Sequence, residues 1–119
     1  MFRKITLSVV AILAALSTQN TLGEYSGVLS VARVRVHPDG TYVGTNTQPD
    51  STCSNWGEYF RFDHTSPHGK SLLATLLTAK AAGKPVEIWY TISPAIGTNH
   101  TNGCNGSAIS VLTGISIPN

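Results

Sequence analysis

A chain of 119 residues with 8 Lys and Arg against 6 Asp and Glu carries a formal charge of +2, and two of its cations, Arg3 and Lys4, stand at its start. Set aside those two and the rest is balanced, which excludes the basic face that an electrostatic nucleic-acid binder needs and a polybasic membrane patch. The length suffices for one domain with a modest core.

The opening Met1-Phe2-Arg3-Lys4 is followed by the apolar run Ile5 to Leu16 and then by Ser17-Thr18-Gln19-Asn20. A positive head, about a dozen apolar residues and a small-residue exit predict a secretory signal peptide over 1–23, with cleavage after Ser17 or after Gly23. The apolar run falls short of the roughly 20 residues that span a bilayer. The mature product is thus expected outside the cytoplasm, secreted or periplasmic, with no membrane span. Export favours pairing Cys53 with Cys104. Closing a loop of about 50 residues would contribute about 4 kcal/mol in the chain-entropy model. Free thiols or half a metal site are the alternatives, but His37, His64, His68 and His100 show no zinc-ligand spacing.

Ser26 to Val36 predicts a strand. Leu29 and Val31 share one parity and Val34 and Val36 the other, so a bulge or sharp bend is expected within it. His37-Pro38-Asp39-Gly40 predicts a hairpin turn, Thr41–Thr45 the returning strand, and 46–55 a polar loop. Trp56–Phe62 reads as a third strand with Trp56, Phe60 and Phe62 on one face. Ser66-Pro67 predicts a capped helix start. Leu72, Leu73, Leu76, Leu77 and Ala81 form an apolar stripe at helical spacing, and Gly83 and Pro85 end the helix. In the next strand, Pro85–Thr91, Val86, Ile88 and Tyr90 point one way and Glu87 and Trp89 the other. Ser93–Gly106 is a loop, and Ala108–Ile117 closes the chain as a strand with Ile109, Val111, Ile115 and Ile117 on one face. The order β-β-β-α-β-β predicts a mainly β fold with one helix: a five-stranded oligonucleotide/oligosaccharide-binding (OB) barrel over 24–119.

Catalytic signatures are sparse. His68-Gly69-Lys70-Ser71 ends like a phosphate-binding loop, but His64 stands where the first glycine belongs. No Gly-x-Ser-x-Gly elbow occurs, and nothing favours Glu58 with Glu87 as a glycosidase pair. No enzyme activity, cofactor or metal is expected. Asn99-His100-Thr101 and Asn105-Gly106-Ser107 match the glycosylation acceptor pattern, which matters only in a eukaryote. Trp56, Tyr59, Trp89 and Tyr90 fall on or beside predicted strands, where aromatics either fill the core or a subunit contact, or stack on sugars at a barrel mouth.

Four segments resemble, in order, the family of the subtilase cytotoxin B subunit and the pertussis-like toxin B subunits. These are Tyr25-Ser26-Gly27-Val28, Trp56-Gly57-Glu58-Tyr59-Phe60, Gly83-Lys84-Pro85-Val86-Glu87-Ile88-Trp89-Tyr90 and Leu112-Thr113-Gly114-Ile115-Ser116. The resemblance implies a secreted, non-catalytic OB barrel that forms a ring pentamer, binds sialylated cell-surface glycans and serves a separate A chain. It also implies that Ser26 and Tyr90 contact the sialic acid. In such a ring the helix Ser66–Ala82 would line the centre, with Thr75, Thr78 and Lys80 facing a wet channel. The competing expectation is a monomeric secreted or periplasmic barrel that binds or inhibits a protein partner.

Overall fold

Valine-rich segments separated by Gly, Pro and Asn turns pair into one six-stranded sheet in a computed structural model that describes residues 23–119. The predicted signal peptide lies outside these residues, except for its last position, Gly23. The strands are β1 (Glu24–Leu29), β2 (Val31–His37), β3 (Gly40–Thr45), β4 (Phe60–Phe62), β5 (Val86–Tyr90) and β6 (Ser110–Ser116), and the helix α1 spans Pro67–Ala82. Their order is β1-β5-β6-β4-β3-β2. All neighbours are antiparallel except β4 with β6.

Six strands stand where five were expected, because the first long strand breaks at Ser30. Leu29 is buried at 6% exposure and Val31 packs against the core, but Val36, expected inward after the parity switch, is 54% exposed, and the β2–β3 register shifts between Val31 and Arg33. Asn46 bridges the break. Its Oδ1 accepts from the Ser30 N–H at 3.0 Å, and its own N–H donates to the Ser30 carbonyl at 3.0 Å. Both polar groups that the break frees are therefore satisfied. The two strands at the ends of the sheet order are thus consecutive in the chain.

The helix begins as predicted. The Ser66 hydroxyl accepts from the Gly69 N–H at 2.9 Å, Pro67 occupies the first turn, and Gly83 ends the helix at φ 65°. Its buried face is narrower than the predicted stripe: Leu72, Leu76 and Ala79 are buried, but Leu77 is 47% exposed. The Thr75 and Thr78 hydroxyls donate back to the Ser71 and Ala74 carbonyls, and Lys80 Nζ reaches the Ala32 carbonyl at 3.1 Å.

Leu72, Leu76 and Ala79 pack against Leu29, Val43, Phe60, Phe62, Val86, Ile88, Tyr90 and Leu112. Each large side chain so buried contributes roughly 1.5–3 kcal/mol. The core parity of the last strand changes within it. Ile115 and Ile117 pack against the core as predicted, but at its start Leu112 is buried and Val111 only partly so, because a register shift between Trp89 and Tyr90 in the β5–β6 pairing resets the faces. A second cluster holds Cys53, Cys104, Ala108 and Ile109. The predicted disulfide is formed, with Cα atoms 5.5 Å apart. No helix among the described residues is long and apolar enough to cross a membrane.

Candidate functional site

The two residues expected to meet a sugar lie on paired strands, but neither presents its hydroxyl freely. In the β1–β5 ladder Tyr25 faces Trp89 and Val28 faces Glu87, so Ser26 and Gly27 together oppose Ile88. This is a bulge, and Gly27 takes the left-handed φ of 75° that it requires. The Ser26 hydroxyl repairs the ladder: it accepts from the Ile88 N–H at 3.0 Å and donates to the Gly27 carbonyl at 2.7 Å.

Tyr90 is 1% exposed. Its ring meets Phe60 at 5.1 Å between centroids, and its hydroxyl donates to the Asp50 carbonyl at 2.6 Å. Burial pushes this phenol above its ordinary pKa. The expectation of a Tyr90 phenol at the rim is corrected accordingly, and the reason is parity. Tyr90 shares the inward face with Val86 and Ile88, both fully buried.

The outward face of the same strands carries a different aromatic pair. Tyr25 is half exposed and lies 5.3 Å from Trp89, the rings tilted by 39°. Trp89 sits opposite Gly114 of β6, and its side chain lies over that glycine. The Tyr25 hydroxyl donates to Glu87 Oε2, and the Ser116 hydroxyl donates to Glu87 Oε1 at 3.1 Å. That hydrogen bond to the Glu87 carboxylate holds the Tyr25 phenol above its ordinary pKa. Two rings, a carboxylate and a hydroxyl therefore share one outward face, Tyr25 exposed and Trp89, Glu87 and Ser116 half-buried. Such a platform can stack on the apolar face of a sugar ring and accept from its hydroxyls. Sequence reasoning placed Trp89 on the outward parity but gave Tyr25 no role. The cross-strand register that joins them is not visible in either segment alone.

Trp56 departs furthest from its predicted place. It is no strand residue but the first tip residue of a two-residue turn. Asn55 and Glu58 exchange both backbone hydrogen bonds at 3.1 Å, and Trp56 and Gly57 have φ of 56° and 80°. Positive φ at both tip positions is the type I′ hairpin pattern, in which Asn and Gly are the usual residues. Beneath the tip, Glu58 is 1% exposed and takes a two-pronged ion pair from Arg35, while Arg33 Nε lies 3.9 Å away.

A cleft of about 220 Å³ opens between the start of α1 and strands β4 and β6, lined by Phe62, Ser66, Leu72 and Thr113 among others. It is below the usual range for small-molecule pockets. Among the described residues no group of three or more His, Cys, Asp or Glu side chains is placed to hold a metal ion. Comparison with family models, with curated proteins and with solved structures gives no match for this chain.

Proposed function

We propose that this is an exported, non-catalytic glycan-binding protein whose sugar platform is the Tyr25–Trp89 pair with Glu87 and Ser116. The observation that carries this reading is the aromatic pair on the outward face of β1 and β5, with Tyr25 exposed and Trp89 half-buried beside it. Stacking rings beside hydrogen-bond acceptors are what an exposed sugar site needs, and neither ring belongs to the buried core cluster. The Glu87 carboxylate favours neutral, hydroxyl-rich sugars here and repels a carboxylated one.

The finer fold reading is an OB barrel, closed by treating β1 and β2 as one strand kinked at Ser30. It is supported by the cyclic order in which the chain-adjacent β1 and β2 occupy opposite ends of the sheet. The disulfide fits export to an oxidising compartment, extracellular or periplasmic. A ring-forming B subunit serving a separate A chain is the corresponding assembly. Val28, Val36 and Leu77, exposed at 60%, 54% and 47%, supply apolar surface that a neighbouring subunit would cover.

The test is a glycan array probed with purified protein and with Trp89→Ala. Neutral glycans should be retained by the first and lost by the second. Binding that survives in Trp89→Ala would remove this platform from the account.

A further inference from the structure

The hairpin tip at Trp56 is costly to build, and the indole it carries stands outside the core. A tryptophan held at φ 56° occupies backbone space that suits Asn or Gly. Such a conformation persists only where its surroundings enforce it, and outliers of this kind gather at ligand-binding positions. Here the enforcement is plain. The Asn55–Glu58 backbone bonds close the turn, buried Glu58 is pinned by Arg35, and the Cys53–Cys104 bridge anchors the segment just before it. A methyl at Gly44 would run into the Gly57 carbonyl, so the tip lies flat on β3. What this frame holds out is an indole 80% exposed, whose aromatic neighbour is His100, edge-on at 6.3 Å.

Charge decides the partner. Glu58 faces two guanidiniums but carries one negative charge. Arg35 takes both of its oxygens, and Arg33, with its side chain 53% exposed, is left in surplus. Arg33 Nη1 lies 3.5 Å from the Trp56 carbonyl, a contact that does not neutralise it. We infer that Trp56, Arg33 and His100 form a second sugar-binding site, selective for acidic sugars. The indole stacks on the apolar ring face and the Arg33 guanidinium takes the carboxylate. The site rests on the glycan-binding reading but is separate from the Tyr25–Trp89 platform, whose Glu87 carboxylate gives it the opposite charge preference. A turn already locked in place loses little freedom on binding.

The chain has two tryptophans, so its two indole N–H signals in a ¹⁵N–¹H spectrum report the two platforms separately; Trp56→Gly and Trp89→Phe assign them. The protein is titrated in turn with sialyllactose, a galacturonic acid oligomer and lactose. An acidic sugar should shift the Trp56 signal where lactose does not, and Arg33→Gln should weaken that binding at least tenfold. A shift with only one acidic sugar identifies its source. A Trp56 signal unmoved by both acidic sugars, moved equally by lactose, or insensitive to Arg33→Gln would overturn the inference. The Trp89 signal reports the first platform independently, so failure there is recognised as such.

Discussion

Trp89 and Tyr90 are adjacent in the chain and opposite in fate. One parity step puts Trp89 on the open face beside Tyr25 and seals Tyr90 against Phe60, with its hydroxyl on the Asp50 carbonyl. Tyr90→Phe should therefore cost about 1 kcal/mol, the net worth of one hydrogen bond, and leave glycan retention unchanged. Urea unfolding and an array measure the two effects independently. Trp56 gives the converse prediction. Glycine adopts the left-handed turn without penalty, so Trp56→Gly should raise stability by about 1 kcal/mol while removing the exposed indole. A loss of stability in urea unfolding would show that the ring packs usefully where it stands.

At the scale of elements, the helix start joins two local devices. Ser66 caps α1, and Ser66→Ala should cost about 1 kcal/mol in thermal or urea unfolding. Just before it, the Asp63 carboxylate accepts from the Thr65 hydroxyl at 2.6 Å and the Thr65 N–H at 2.8 Å, and these bonds hold it below the usual carboxylate pKa. A carboxyl depressed in the folded state stabilises fully above its unfolded value of about 3.9, and that contribution is lost as pH falls through the lower folded value. Stability should thus decline on acidification below about pH 4, and Asp63→Asn should flatten that part of the Tm profile. An unchanged profile would contradict the assignment.

The helix, its caps and the parity of β5 were all legible in the sequence, because each is decided by residues within a few positions of one another. The break at Ser30 was half legible: the parity switch announced a bend, but the Asn46 clamp that makes it a break comes from across the sheet. The change of face within β6 and the Tyr25–Trp89 pair depend on inter-strand register, which no single segment encodes. Trp56 misled for a related reason. Aromatic residues signal strand, and the turn that holds this one is imposed from outside it by Arg35, which clamps Glu58, and by Gly44, which admits the Gly57 carbonyl.

Across the whole molecule, the 51-residue separation between Cys53 and Cys104 ties the loop bearing Trp56 to the loop bearing His100. Replacing both cysteines with serine should cost about 4 kcal/mol by the loop-closure estimate. It should also loosen the Trp56 tip, readable as a loss of its indole signal dispersion.

The most direct test of the central claim is glycan-array binding by the purified protein, with Tyr25→Ala and Trp89→Ala run beside it. A defined set of neutral glycans should be retained by the parent protein and lost in both variants at unchanged Tm. No glycan retained by the parent protein, or an undiminished signal in both variants, would contradict it.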